Sequence, residues 1–457
     1  MKRLILSILF ITSTMYATEP KILYEEDPTL LITNIEVVAT TGAADDPVEK
    51  AGLASLMGEL MLRGTKNRSR TKFQSEMERM GAALQVGTTP ETIVFEGKVI
   101  KENTEAFIAL LSDAILNPAF SDTEFKGLKR EQLAEISHRK NNNGRLAGLT
   151  LRREAFKGTP LERSVEGGIE TVSKIKLADI KQAYKDRFHQ GNVIFGVSSA
   201  IPEAEMKKSL TAIWSKLPDG LKKAPRSITP NIPAKPTLVV INKPNTSTGS
   251  IIMAQPGITA QDEARYALAV SNFGFGGEPL VSRLFKVIRG ELGWTYSIGS
   301  TYHAMGSLST QQGLYVISST PTIEFTVKTI LKSMSMWSDY ATDGLRGEEL
   351  ILAKESLVNS YPFDFESAEK RVSMKLYSHI NGTPILSPEE YAKKINSFTL
   401  KDLQNTLKAK HPSSGWFISV VADAKVIEKQ LAEEQKERPE AERLTISKII
   451  TPDQVIH

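Results

Sequence analysis

The chain has 457 residues, of which 40% are hydrophobic and 24% are charged. This composition is ordinary for a globular protein, and the length exceeds what one hydrophobic core usually holds, so we expect two or more domains. The formal net charge is only +4 and no basic patch is evident, which gives no support to nucleic-acid binding, while the absence of cysteine excludes disulfides and thiolate chemistry.

The first predicted element is a secretory signal peptide over residues 1–17. Lys2 and Arg3 precede an apolar run that begins at Leu4, and small and polar residues follow to Ala17. A buried N-terminal helix is the alternative, and a membrane anchor is disfavoured because the apolar run falls short of the ~20 residues that a span needs. We therefore expect an exported, periplasmic protein with no membrane span in the mature chain.

The next element is an amphipathic helix, predicted over residues 52–65, GLASLMGELMLRGT. Its apolar residues recur at the three- and four-residue spacings of a buried stripe: Leu53, Leu56, Met57, Leu60 and Met61. The same spacing brings Ser55, Gly58 and Glu59 together on another face. Glycine destabilises a helix and serine adds little to its stability, so their place on one face calls for a reason other than helix formation.

Two later segments, residues 177–200 and 400–424, repeat one pattern. Each contains a polar helix, a turn and a short strand of β-type residues, and equivalent residues such as Val197 and Val420 differ by a constant 223 positions. An earlier order of strand, acidic loop and apolar helix also repeats. We therefore predict an α+β fold of two tandemly duplicated α/β sandwich halves, each a mixed, mostly antiparallel sheet with helices packed on it.

A composition break defines the domain boundaries. Residues 217–236 contain five prolines and two basic clusters with little apolar periodicity, which predicts an exposed linker over 218–236. The first half then spans residues 28–217 and the second half residues 237–435. The remaining segment, residues 436–457, alternates acidic and basic residues at its start and is predicted to be a solvated helical tail.

The second half contains a glycine-rich segment, residues 271–300, SNFGFGGEPLVSRLFKVIRGELGWTYSIGS. Arg289 lies at a predicted helix end, and Tyr296 follows seven residues later. An arginine offers a fixed fork of donors and a tyrosine one hydroxyl donor, which together suit carbonyl oxygens. The GFGG turn lacks the Lys-Ser/Thr of a phosphate loop, so we expect a turn at the start of a helix. Taken alone, such an Arg–Tyr pair is typical of surface residues.

Residues 45–69 resemble the signature helix of the insulinase/pitrilysin metallopeptidases, particularly the mitochondrial-processing-peptidase-like branch. Active members carry His-x-x-Glu-His in a similar stretch, where two histidines bind zinc and the glutamate takes a proton from metal-bound water. An ungapped alignment places Ser55 and Glu59 at the histidine positions and Gly58 at the catalytic glutamate. The third family ligand, a glutamate on a later helix, corresponds to Glu135.

These substitutions leave two carboxylates and no imidazole. A hydroxyl is a poor zinc ligand and glycine cannot act as a base, and no histidine stands in an inverted motif among His138, His189, His303, His379, His411 and His457. We therefore expect no catalytic residue and no metal or other cofactor bound by this chain. Asp46 can cap the degenerate helix and Pro47 suits its first turn, so the scaffold is expected to persist without the chemistry.

The glycine-rich segment also resembles the family's C-terminal pattern, in which SRLF follows a glycine-rich turn and an Arg precedes a Tyr by seven residues. The resemblance implies that Arg289 and Tyr296 hydrogen-bond the backbone carbonyls of a substrate, across a cavity from the zinc. Arg283, in the same predicted helix, is expected to be a surface or structural residue. The resemblance extends over roughly residues 28–435.

Family members that lack the zinc motif and keep the Arg–Tyr pair resemble the non-catalytic partner in two-chain bacterial peptidases. The first hypothesis is therefore a periplasmic pseudo-peptidase subunit that pairs with a homologous, zinc-bearing subunit and binds peptide or unfolded protein. The second is a structural or assembly protein, like the family's core proteins in respiratory complexes, with no peptide binding. A stand-alone active enzyme is opposed by Ser55, Gly58 and Glu59.

Overall fold

A computed structural model describes residues 19–303, 311–411, 415–438 and 443–457. The predicted signal peptide, residues 1–17, lies outside the described residues. Within them, no helix is long and apolar enough to cross a membrane.

The strands of the described residues form two sheets. In chain order they are β1 Lys21–Glu26, β2 Ile32–Ala39, β3 Ala83–Thr88, β4 Ile93–Ile100, β5 Val193–Ser199, β6 Thr237–Asn242, β7 Ser250–Pro256, β8 Thr295–His303, β9 Leu314–Pro321, β10 Phe417–Ala422 and β11 Thr445–Ile450. The first sheet has the order β1-β5-β2-β4-β3, and the second has the order β11-β6-β10-β7-β9-β8. Each sheet is built from strands of one half of the chain.

The helices pack on these sheets. They are α1 Leu53–Met61, α2 Arg70–Arg79, α3 Thr104–Leu116, α4 Asp122–His138, α5 Asn143–Ala155, α6 Ile169–Lys174, α7 Leu177–Arg187, α8 Glu203–Trp214, α9 Ala264–Asn272, α10 Thr326–Asp343, α11 Gly347–Ser360, α12 Ala368–Asn381, α13 Pro388–Ser397, α14 Leu400–Lys410, α15 Ala424–Glu434 and α16 Pro452–Ile456. Two π-helical segments, Phe273–Gly277 and Phe285–Glu291, lie between α9 and β8.

The two sheets share one topology, which confirms the predicted tandem α+β fold. Strand β5 runs parallel to β1 and antiparallel to β2, and β10 runs parallel to β6 and antiparallel to β7. The constant sequence offset survives in the pairing, because Val197 opposes Ile35 in the first sheet and Val420 opposes Ile251 in the second. The remaining pairs, from β2 or β7 outwards, are antiparallel, as predicted.

Each half contributes one helix that packs on the sheet of the other half. Helix α5 of the first half packs on β7 and β10, and α12 of the second half packs on β1 and β5. The contact of α12 is close at Gly196, where an added Cβ would lie 2.4 Å from Cδ1 of Leu376. Both faces of the inner strands are thereby covered, which explains why β5 and β10 are buried along their whole length.

The linker has an irregular backbone and is not simply exposed. Residues 218–236 contain no helix and no strand of several residues. Ile228 nevertheless inserts into the core, and both Lys223 and Arg226 bind the carboxylate of Asp45 in the first half. The linker is therefore seated against the first half.

Residues 436–457 are not a solvated helical tail, which corrects the prediction. Helix α15 ends at Glu434, and Thr445–Ile450 forms β11, which pairs in parallel with β6 at the edge of the second sheet. The sequence TISKII is rich in β-branched residues, which favour a strand. The first sheet likewise begins at Lys21, before the predicted domain boundary at residue 28.

Candidate functional site

Helix α1 carries the degenerate face, and its start is fixed by Asp46. The Asp46 carboxylate accepts hydrogen bonds from the backbone N–H groups of Gly52 at 3.0 Å and Ala54 at 3.1 Å. Capping by Asp46 is therefore confirmed, although the residue that immediately precedes the helix is Gly52, with a left-handed φ of 100°. The prediction for Pro47 is wrong, because this residue precedes a separate short turn, Val48–Lys50.

The Asp46 side chain is enclosed by the protein and also joins α1 to α7. Nη1 of Arg187 donates a hydrogen bond to it at 2.8 Å. Burial raises the pKa of Asp46, and the charge of Arg187 opposes this shift. The buried acid therefore holds the amino end of α1 against α7.

A cleft of about 370 Å³ lies beside α1 and contains three of the four degenerate positions. Ser55 and Glu59 project from α1, and Glu135 faces them from α4. Gly58 lies instead against the sheet, where an added Cβ would be 3.2 Å from Cγ2 of Val86. The structure thus brings Ser55, Glu59 and Glu135 together, and it leaves little room for a side chain at Gly58.

The cleft is rich in carboxylates. Partial burial raises the pKa of Glu59. The negative charges of Glu131 and Glu135 raise this pKa as well, whereas the positive charge of Arg63 lowers it. Arg63 is itself paired with Glu131 at 2.6 Å, whereas Glu59 has no ion pair among the described residues. Within the same residues no group of three or more His, Cys, Asp or Glu side chains is placed to hold a metal ion.

Sequence analysis missed Glu166, which lines this cleft and is paired with two arginines. Arg139 and Arg145 contact the Glu166 carboxylate at 3.1 and 2.8 Å, and Arg145 also lies 3.8 Å from Glu135. Burial tends to raise the pKa of Glu166, but Arg139 and its hydrogen bonds outweigh burial and lower it. These residues lie far from α1 in sequence, so no local spacing reveals them.

Arg289 lies between two aromatic rings. Its Cζ atom is 4.4 Å from the ring centroid of Phe285 and 4.6 Å from that of Tyr296. Both rings contact the guanidinium through cation–π interactions, and no carboxylate in the described part of the chain pairs with it. Phe285 was not predicted as a site residue, although its four-residue spacing from Arg289 is a visible signal.

Tyr296 projects outwards because β8 is irregular at this point. The pairing register between β8 and β9 shifts between Thr295 and Ile298, as in a β-bulge. Ser319 stabilises the irregularity, because its hydroxyl lies within hydrogen-bond distance of the Thr295 hydroxyl at 3.2 Å and of the Ser297 carbonyl at 3.0 Å. The Tyr296 side chain is 83% exposed. Bulges often re-aim side chains next to functional sites. Short π-helical turns, such as the one that carries Arg289, are also frequent at such sites.

Arg283 is a structural residue, as expected. Its guanidinium donates to both carboxylate oxygens of Glu349 at 2.7 and 2.6 Å and to the carbonyl of Gly344 at 2.9 Å. It also lies 4.9 Å from the ring centroid of Tyr340. Two arginines of one segment thus have opposite environments.

The GFGG motif ends a helix, which corrects the prediction of a helix-start turn. Residues Phe273–Gly277 continue α9 as a π-helical turn. An added Cβ at Gly276 would lie 2.5 Å from Oγ of Ser300, and at Gly277 it would lie 2.6 Å from Nδ2 of Asn272. Gly276 therefore allows close contact with β8, and Gly277 allows the chain to turn closely against the end of α9.

Two family models match the chain in succession. The model of insulinase (peptidase family M16) matches residues 21–168, and the model of the peptidase M16 inactive domain matches residues 174–357. The first match contains the degenerate α1 and the second contains the Arg289 segment.

Similar proteins cover nearly the whole chain. The "non-peptidase homolog YmxG" of Helicobacter pylori is 24% identical over 416 residues, 88% of this chain and 92% of that protein. The structure of a peptidase M16 inactive domain from Pseudomonas fluorescens superposes with a TM-score of 0.80 at 20% identity, covering 90% of this chain and 98% of that chain.

A second similar structure is the first half of the periplasmic protease PqqL from Escherichia coli. It superposes with a TM-score of 0.71 at 18% identity and covers 90% of each chain. Against the PqqL structure that contains more than this half, the match covers 89% of this chain and 47% of that chain. At this identity the likeness concerns the fold.

Proposed function

The chain belongs to peptidase family M16, the insulinase family, as an inactive-type member, and we propose that it is the non-catalytic subunit of a two-chain periplasmic zinc peptidase. In this proposal a homologous partner carries the zinc and the catalytic glutamate. This chain contributes hydrogen-bond donors that hold the backbone of a peptide or an unfolded protein. The zinc belongs to the partner, and this chain binds no cofactor.

The environment of Arg289 carries this proposal. Phe285 and Tyr296 fix the direction of its guanidinium, while its N–H donors have no acceptor among the described residues. A guanidinium that is held in place but left without a carboxylate can donate to an external carbonyl oxygen. The exposed hydroxyl of Tyr296 adds a second donor at the same place.

The degenerate cleft supports a role without chemistry for this chain. Gly58 cannot take a proton from water, and Ser55 and Glu59 offer a zinc ion neither imidazole nor thiolate. Glu59 and Glu135 alone would make a weak site of hard oxygen ligands. Any peptide-bond hydrolysis at this surface therefore needs the metal of another subunit.

The comparison with PqqL supports a paired arrangement. This chain resembles one half of that periplasmic protease and accounts for 47% of its larger structure, so PqqL joins in one chain what two chains supply in the proposal. The word periplasmic in its description agrees with the signal peptide expected at residues 1–17.

Co-expression with a homologue from the same organism that carries His-x-x-Glu-His tests the proposal. We expect a complex that survives gel filtration at micromolar concentration, with an interface in the usual range of roughly 1,600 Å² or more. The complex should cleave a quenched fluorescent peptide, and each chain alone should be much less active. Separate elution together with no gain in proteolysis on mixing would contradict the proposal.

A structural or assembly role remains the second candidate, and one feature of the cleft favours it. Arg63 and Arg145 are already paired with Glu131 and Glu166, so neither of these arginines is free for a ligand. In that case the complex would form, but substitution of Arg289 would leave proteolysis unchanged.

A further inference from the structure

The segment after β11 crosses from the second half to the first. Leu444, just before β11, lies in the core of the second half, whereas Ile450 and Ile456 are buried in the core that fills the first half. Two contacts with α5 stabilise the position of this segment. Nζ of Lys448 lies 3.1 Å from the Glu154 carboxylate, and Nη1 of Arg153 donates a hydrogen bond to the carbonyl of Gln454 at 2.9 Å. We refer to residues 451–457 as the strap.

The strap is seated against Gly168. An added Cβ at this glycine would lie 2.2 Å from the carbonyl oxygen of His457 and 3.1 Å from that of Ile456. The backbone of Gly168 is extended, with φ −121° and ψ 172°, a conformation open to any residue. Glycine is therefore required here by the presence of the strap and not by the local backbone.

Gly168 ends a loop that forms one wall of the degenerate cleft. We refer to residues 164–168 as the wall loop. Its Glu166 carboxylate faces the cleft, and its Gly167 carbonyl accepts a hydrogen bond from Arg139 at 3.1 Å. At the neighbouring Gly167, an added Cβ would lie 2.1 Å from the carbonyl oxygen of Ala51, two residues before the start of α1.

The wall loop is thus enclosed between the strap and the amino end of α1. Nε2 of Gln132 ties it further by donating to the carbonyl of Glu166 at 2.7 Å. We propose that the strap is a conformational brace: by filling the space behind Gly168 it holds the wall loop, and with it Glu166, in place at the cleft. Release of the strap frees this loop while the two sheets stay folded.

A double-mutant cycle separates this brace from ordinary packing. Gly168→Ala should push the strap away through its Cβ. Ile456→Asp should release the strap, because a charged side chain is disfavoured at this buried position. If both act through one contact, their effects are not additive. Amide hydrogen exchange in residues 165–168 should accelerate at least tenfold in each single variant, and the double variant should exceed Ile456→Asp by no more than twofold.

Two matched controls and a second region make the outcome decisive. Gly127→Ala, with open space around the added Cβ, and Asp453→Ala, at an exposed strap residue, should leave exchange in residues 165–168 unchanged. Amides of β5 should remain protected in every variant. Unchanged exchange of the wall loop, additive effects, or equal acceleration in β5 would each overturn the proposal. Ile456→Val, which retains the buried branched side chain, should exchange like the parent protein.

Discussion

The guanidinium of Arg289 stacks on the ring of Tyr296, with 4.6 Å between Cζ and the ring centroid. Six residues earlier, Arg283 is committed to Glu349 through two hydrogen bonds of 2.7 and 2.6 Å. The two arginines belong to one segment, yet one is saturated by the protein and the other is only held in position. This contrast separates a structural arginine from a candidate ligand-binding one, and stability measurements can detect it.

Arg283→Ala should lower the free energy of unfolding by about 2 to 3 kcal/mol, because it leaves the mostly buried Glu349 without its charged donor. Arg289→Ala should have a smaller effect. Apart from the loss of the modest cation–π contacts, it should change the free energy of unfolding by less than about 0.5 kcal/mol, as is usual for surface positions. Urea denaturation of both variants measures the difference. Equal losses would mean that Arg289 is also structural.

His411 provides a pH prediction. Its Nε2 shares a hydrogen bond of 2.7 Å with the hydroxyl of Tyr302, and the rings of Tyr315 and Trp337 lie within 5.5 Å of its own. Burial lowers the pKa of His411 from 6.5 to about 4. Between these values the unfolded chain binds the proton and the folded protein does not, so stability falls as the pH falls through this window.

Lowering the pH from 7 to 5 should therefore cost the protein about 2 kcal/mol through His411, since one pKa unit corresponds to about 1.36 kcal/mol. A His411→Gln variant keeps a hydrogen-bonding group for Tyr302 but cannot titrate. Its loss of stability between pH 7 and pH 5, measured by urea denaturation, should be smaller than that of the parent protein by this amount. Equal losses would show that His411 does not control acid stability.

The metal content of the purified protein is a third prediction. Glu59 and Glu135 supply hard carboxylate oxygens and no imidazole, so zinc should be found at well under one ion per chain after dialysis. Elemental analysis by mass spectrometry measures it. One tightly bound zinc per chain would contradict the inactive assignment of the cleft.

Restoring the motif should meet resistance at one residue. In the triple variant Ser55→His, Gly58→Glu, Glu59→His, the new glutamate must fit where an added Cβ already lies 3.2 Å from Cγ2 of Val86. We expect weak zinc binding in this variant and tighter binding when Val86→Ala is added. A Glu135→Gln change in the same background should weaken binding by removing the third ligand. Titration with zinc and a chromophoric chelator distinguishes these cases.

Sequence patterns predicted the fold well. The apolar stripe of α1 identified a helix from its local spacing, and the constant offset between Val197 and Val420 identified a duplication because one pattern occurs twice in the chain. The packing of α5 and α12 on the sheet of the opposite half could not be predicted, since it depends on contacts between residues that are far apart in the chain. Strand β11 was missed although TISKII has strand-forming residues, because the charged segment before it dominated the interpretation.

The site was predicted in part for the same reason. Ser55, Glu59 and Glu135 do line one cleft, as the motif spacing implied. Glu166 belongs to the same cleft, but it sits on a loop that is held by residues far from α1 in the chain, such as Gln132 and Arg139. Phe285 lies four residues before Arg289, a spacing that brings two side chains together on a helix, but nothing else in the sequence singled out this ring as part of the site.

The role of Tyr296 can be tested within the proposed complex. Tyr296→Phe removes one neutral hydrogen-bond donor and keeps the ring that contacts Arg289. A neutral hydrogen bond contributes about 1 kcal/mol, so kcat/KM of the complex should fall by roughly fivefold. Subunit association, measured by gel filtration, should not change. A loss of association instead would assign Tyr296 to the subunit interface.

The most direct test of the account is kcat/KM of the zinc-bearing complex with Arg289→Ala in this chain, measured on a quenched fluorescent peptide. A charged hydrogen-bond donor contributes roughly 1.5–3 kcal/mol, so kcat/KM should fall by roughly ten- to a hundredfold. Lys286→Ala, at an exposed cation of the same segment, is the matched control and should have no effect. Unchanged proteolysis with Arg289→Ala, or loss of the complex itself, would contradict a role in substrate binding and identify the chain as a scaffold.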